Sequence, residues 1–313
     1  MKLKSKIGLG VCLALLGTIA ATTPARLDYS PLPVDSLEAI LLEPSDGVIA
    51  GAEKRILWHN GETPTEWSVV ALHGFSASRQ ESAPLAELVA QSLGANLFET
   101  RFAGHGLTEN ALVDVTAEQW LDDVANALTA GRLIGRKTVV IAMSHGSALA
   151  LSMLDHPSMQ SVDALILLSP NFGPADPKAM WITGPGGSLL LRLIAGPTRS
   201  WEALNERQAK YWTTSYPTRT VIEVIRVVDR SKQKIQNVLA PRLQMFYSPD
   251  DKVISVAALE AAYATIRSPQ KEINIVLETG SPYAHVIAGD IISPDNTGPI
   301  AEQITRFVLR QAP

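Results

Sequence analysis

The chain has 313 residues, 46% of them hydrophobic and 19% charged. That balance supports a sizeable core and excludes wholesale disorder, and the length fits two domains or one large α/β domain with an insertion. The net charge of −4 becomes −7 once the three lysines in the first six residues are set aside, which argues against a nucleic-acid partner.

Residues 1–25 read as an address. Lys2, Lys4 and Lys6 form a basic start, Ile7 to Ala21 is uncharged and mostly apolar, and small residues follow through Ala25. This is the layout of a secretory signal, and the apolar stretch is short for a spanning helix of about 20 residues. The expectation is an exported protein, periplasmic or secreted, or one held at a membrane by an uncleaved segment. The one cysteine, Cys12, lies in this leader behind Leu9-Gly10-Val11, a poor lipoprotein box. Past the leader there is neither a disulfide nor a thiolate metal site.

Beyond it, short branched apolar runs alternate with helical patterns. The runs are 69–72, 138–142, 164–169, 243–247 and 273–277; strands apolar on both faces belong to a parallel sheet covered by helices. Pro84 to Leu93 has helical periodicity and stops at Gly94. Thr116-Ala-Glu-Gln119 is a capping box opening a helix to about Gly131. Val256 to Ile266 and Ile300 to Leu309 read as further helices. The alternation predicts a doubly wound, mostly parallel α/β sheet.

Residues 173–240 break the alternation, with Gly/Pro interruptions and no clear strand. The expected organisation is a core of 26–172 and 241–313 carrying a helical cap over 173–240. Trp181, Trp201 and Trp212 fall in this stretch. Ligands of such sheets bind at the carboxyl ends of the strands, so these aromatics either wall a pocket for an apolar substrate group or pack the cap onto the body.

Ala142-Met-Ser144-His-Gly146 follows a strand and opens a helical pattern. A serine on a sharp strand-to-helix turn projects its hydroxyl above the sheet, and small residues two before and two after permit the turn. The usual pattern is G-x-S-x-G; here Ala142 takes the first place and makes the elbow more crowded. A serine hydroxyl needs a base, and in this architecture an acid and then a histidine follow in the chain. The acid lies in Ser248-Pro-Asp250-Asp251 after a strand. Asp250 and Asp251 compete, and Asp251 is preferred because Lys252-Val-Ile fits a turn that places its carboxylate inward. The base is His285; His156, at the end of the helix after the serine, faces the wrong way. Leu72-His73-Gly74-Phe75 follows the first strong strand, and the main-chain amides of Phe75 and His145 would form the oxyanion hole. His73 reads as a brace for that loop.

His73-Gly74-Phe75, Arg101 to Gly106, Ala142 to Gly146, Ser248 to Asp251 and Ala284-His285 together resemble the α/β-hydrolase superfamily, over residues 69 to 287. The Gly104-His105-Gly106 turn and the insertion look like the serine-aminopeptidase and monoacylglycerol-lipase branch. The resemblance implies a Ser–Asp–His hydrolase of esters, a small-molecule ester as partner, a cap over the site, and no cofactor. The histidines at 59, 73, 105, 145, 156 and 285 show no paired ligand spacing, so no metal is expected. A non-catalytic binding relative, or cleavage of amide, thioester or carbon–carbon bonds, are the other readings.

Overall fold

The computed structural model describes residues 26–176 and 196–310. In chain order these form β1 (Arg55–Leu57), β2 (Thr65–Leu72), α1 (Leu85–Leu93), β3 (Asn96–Glu99), α2 (Ala117–Ile134), β4 (Gly135–Met143), α3 (His145–Ser152) and β5 (Val162–Leu168). A short pair, β6 (Thr198–Ser200) and β7 (Ser215–Pro217), brackets α4 (Glu206–Tyr211). Then come α5 (Thr220–Asn237), β8 (Arg242–Tyr247), α6 (Val256–Thr265), β9 (Lys271–Ile275) and α7 (Pro294–Leu309).

One seven-stranded sheet has the order β1-β3-β2-β4-β5-β8-β9. Only β1 runs antiparallel to its neighbour; the remaining pairs are parallel. Side chains alternate across the pleat, so Val139, Ile141 and Met143 pack with α1 and α7, while Val140 and Ala142 pack with α2, α3 and α5. Every residue of β4 from Thr138 to Met143 is buried. The alternating α/β architecture expected from the apolar runs is the one found.

Several elements differ from the reading of the runs. β1 and β3 lie outside them, being only three and four residues long and lacking a branched apolar stretch. The last run occupies the sheet's edge, where Ile273, Ile275 and Leu277 are exposed. α7 begins six residues before its periodic part, since Gly298 and Pro299 disguise its first turns. α2 passes straight into β4, Ile134 being followed by Gly135 with no loop between.

The stretch 173–240, expected to be helical and strandless, holds the antiparallel β6–β7 pair. Its helix α5 buries Val227, Val228 and Ile235 in the same cluster as Trp120 and Leu149, so residues 220–237 take part in the main core. The leader at 1–25 and Trp181 lie outside the described residues. Among the described residues no helix is long and apolar enough to cross a membrane.

Candidate active site

The strand order reverses between β2 and β4, parallel neighbours whose onward connections run to opposite sides, β2 to β3 and β4 to β5. Such a switch point opens a crevice at the carboxyl ends of the strands. Phe75 lies three residues past β2 and Ser144 one residue past β4, so both flank this crevice.

Ser144 has φ +49° and ψ −111°, a conformation that costs a non-glycine residue on the order of 1–3 kcal/mol. Its surroundings hold it there. Its N–H donates to Leu168 O at 2.8 Å, and its carbonyl accepts the N–H groups of Asn171 and Ser147, each at 3.1 Å. Gly146 makes the turn fit: a Cβ there would stand 2.5 Å from His73 O and 2.6 Å from Leu72 O. Ala142, the departure from the usual glycine, is fully buried in the core, and its carbonyl accepts the Ser147 hydroxyl at 2.7 Å.

His285 is brought to Ser144 from the loop after β9. Its Nε2 lies 2.8 Å from Ser144 Oγ, and its Nδ1 lies 2.7 Å from Asp251 Oδ2. With the carboxylate accepting at Nδ1, Nε2 is left to accept the hydroxyl proton. Asp251 has no solvent-exposed side-chain surface, and its Oδ1 accepts from Val253 N at 2.8 Å and Ile254 N at 3.0 Å. Asp250 is exposed. The structure thus joins Ser144, His285 and Asp251 in one hydrogen-bonded line and leaves Asp250 outside it.

Phe75 and His145 are also adjacent, with ring centroids 6.1 Å apart. The His73 ring ties the loop after β2 to the segment after β3: Nε2 accepts Phe102 N–H at 3.1 Å, so Nδ1 carries the proton and donates to Gly74 O at 2.9 Å. Burial drives its pKa well below the usual histidine value, with the His105 charge adding to the effect. Burial also lowers His105 to about 4 and His145 to about 3. These rings are neutral wall material at ordinary pH. His156 lies elsewhere, with its Nε2 2.8 Å from Pro31 O.

Trp212 is buried against the face of the sheet that carries α1 and α7, with Trp201 partly buried beside it. The following residue, Thr213, donates to Ser76 O at 2.7 Å, and the Tyr216 ring stands 5.0 Å from that of Phe75. These contacts pack the segment onto the loop after β2. Among the described residues no cluster of three or more His, Cys, Asp or Glu is placed to hold a metal. Two contributors escaped the sequence reading. Ser169, at the end of the apolar run 164–169, holds the carbonyl of His285, and Glu81 holds the amide of Gly74; nothing in the local pattern marks Glu81 as buried or ties Ser169 to His285.

The profile of the family described as serine aminopeptidase, S33, matches residues 63–279, more than half of the chain. The chain belongs to the serine aminopeptidase S33 family. As an S33 member it has the α/β-hydrolase fold, and solved structures agree. That of the metagenome-derived lipolytic enzymes LipS and LipT is 20% identical with a TM-score of 0.67, covering 83% of this chain and 98% of that one. A soluble variant of the Saccharomyces cerevisiae monoglyceride lipase, in complex with a substrate analogue, is 14% identical with a TM-score of 0.64, covering 92% and 98%. The Paleococcus ferrophilus monoacylglycerol lipase is 13% identical with a TM-score of 0.59, covering 81% and 98%. Among curated proteins there is no match.

Proposed function

We propose that this S33-family chain is a serine hydrolase of carboxylic esters, a carboxylesterase or an enzyme of monoacylglycerol- or lysophospholipid-lipase type. The observation that carries this reading is the unbroken line from Asp251 through His285 to Ser144, with 2.7 and 2.8 Å links. His285 Nε2 takes the Ser144 proton as Oγ attacks the ester carbonyl. The amides of Phe75 and His145 receive the oxyanion, and His285 passes its proton to the departing alcohol. A water deprotonated by His285 then attacks the acyl-serine and releases the acid, restoring Ser144. Asp251 holds the ring's tautomer and supports its charged form.

The neighbours and the aromatic surroundings support this substrate class. The yeast lipase was captured with a substrate analogue and Est1E of Butyrivibrio proteoclasticus with ferulic acid, which supports small ester substrates. The Phe75 and Tyr216 rings suit an apolar acyl group. Residues 1–25 would export the chain or anchor it at a membrane. The test is the Ser144→Ala variant assayed with p-nitrophenyl esters of graded chain length, an amino-acid p-nitroanilide, and a fluorophosphonate probe. Loss of ester turnover and of labelling in a folded variant is expected; unchanged turnover removes the assignment, and a preference for the anilide shifts it to amides.

A further inference from the structure

A carboxyl group behind the loop after β2 is unused by the steps above. Glu81 ends the single turn Arg79–Glu81, capped by the Ser78 hydroxyl, and is 3% exposed. Its Oε2 accepts the main-chain N–H of Gly74 at 2.6 Å. Both carboxyl oxygens stand 2.9 Å from where a Cβ at residue 74 would lie. Glycine is therefore what admits the carboxyl to the His73–Gly74 peptide, one peptide before the one that carries the Phe75 N–H. The same stretch holds the base's loop: Ala83 O accepts the N–H of Asp290 at 2.9 Å, five residues beyond His285.

The electrostatics agree with this placement. Burial raises the Glu81 carboxyl to about 7, while the Gly74 N–H and the charge of His285 draw it back down. The other ionisable groups around it are committed elsewhere. The Arg79 guanidinium lies 3.4 Å from Glu53 and 3.5 Å from Glu99, His73 is held neutral, and Asp251 occupies the far nitrogen of the His285 ring.

We infer that Glu81 is a positioning residue for hydrolysis: by holding the Gly74 N–H its carboxylate sets the orientation of the adjoining Gly74–Phe75 peptide toward the oxyanion, and when ionised it supports the imidazolium form of His285. This rests on the ester-hydrolase reading. An oxyanion donor works only when fixed beforehand at the place where charge develops, and the Gly74 hydrogen bond fixes the preceding amide. His285 becomes positive only as the reaction proceeds, so a buried anion nearby stabilises the transition state more than the resting enzyme.

The test compares wild type, Glu81→Gln and Glu81→Ala with a p-nitrophenyl ester from about pH 5 to about pH 9, alongside fluorophosphonate labelling and thermal melts. Gln keeps an acceptor for Gly74 and removes the charge. Its kcat should fall about 3- to 10-fold with KM nearly unchanged. The acid limb of kcat/KM should move to lower pH by up to about 1 unit, because part of the wild-type limb is the ionisation of Glu81, raised to about 7 by burial, which Gln does not undergo. Ala removes the acceptor too, and kcat should fall about 10²-fold, most of which Gln restores. If Ala does not fold, the isosteric Gln decides alone through the acid limb. A Gln variant with wild-type kcat and an unmoved acid limb overturns the role. So do Gln and Ala variants with equal losses and unmoved limbs, since that pattern is packing alone. A wild type that neither labels nor hydrolyses brings down the ester reading itself, and this inference with it; a labelled, active wild type with indifferent variants sinks the role of Glu81 only.

Discussion

The Ser169 hydroxyl donates to the main-chain carbonyl of His285 at 2.7 Å. Ser169 is fully buried one residue past β5, has φ +44°, and donates its own N–H to Phe246 O at 2.8 Å. The ends of two central strands thus hold the loop that presents the imidazole. Ser169→Ala leaves that carbonyl buried without its partner, at a cost of about 1–3 kcal/mol. We expect kcat/KM to fall about tenfold and the melting temperature by several degrees. Kinetics within about twofold of wild type would mean that Asp251 alone positions the ring.

The two neighbouring aspartates should separate cleanly. Asp251→Asn removes the acceptor that selects the tautomer of His285 and should lower kcat by about 10³- to 10⁴-fold. Asp250→Asn, at an exposed turn position, should leave kcat within about twofold. Equal effects in a side-by-side esterase assay would contradict the assignment of Asp251.

At the elbow, Gly146→Ala forces a methyl against the main-chain oxygens of His73 and Leu72, atoms of a central strand end that cannot swing aside. A loss of about 2–4 kcal/mol is expected, read by denaturant unfolding. Ala142→Gly, which restores the usual pattern, should instead cost about 1 kcal/mol through added backbone freedom and lost burial. An increase in kcat for that variant would show that the alanine crowds the turn.

Acid should unfold the protein in two regimes. Burial keeps His73, His105 and His145 neutral, with His105 lowered to about 4 and His145 to about 3. Unfolded, each takes up a proton below about pH 6.5, so stability falls with pH by up to about 1.4 kcal/mol per unit for each ring. Glu81 and Asp123, raised to about 7 by burial, act in the opposite sense. Between their unfolded values and about 7 the fold binds protons that the unfolded chain does not, so their contribution is lost as pH rises through that range. The melting temperature should therefore fall gently between about pH 6.5 and 5, where the two acids offset two of the three rings, then drop steeply below about 4.5, where they no longer do. His145→Asn should flatten the acid drop; a variant with the same steepness would refute the part given to His145.

Much of the fold and of the candidate site was legible in the sequence because the candidate residues sit at strand ends. The apolar runs around Val69, Val139, Leu165 and Leu243 located the central strands, and the small residues at Ala142 and Gly146 located the turn between β4 and α3. Asp251 could be favoured over Asp250 from the residues that follow, and the burial of its side chain agrees. What escaped depends on contacts between distant segments. Glu81 stands in a polar run, and only the approach of Gly74 makes its carboxyl a buried acceptor. Ser169 meets His285 across 116 positions of sequence. α5 carries a charged sequence whose apolar stripe gains meaning only against α3, and so it reads as part of the insertion. The short strands β1, at the edge, and β3, between β1 and β2, are defined by pairing rather than by composition.

The direct passage from α2 into β4 gives the two ends of the sheet different evolutionary latitude. An extra residue at Ile134–Gly135 would break a helix or shift a strand's register, displacing Ser144 at the far end. At the opposite rim, among the described residues between Ser169 and Arg219, none belongs to the seven-stranded sheet. Sequence change in the segment above that rim is thus separable from change beneath Ser144, where helix and strand are continuous.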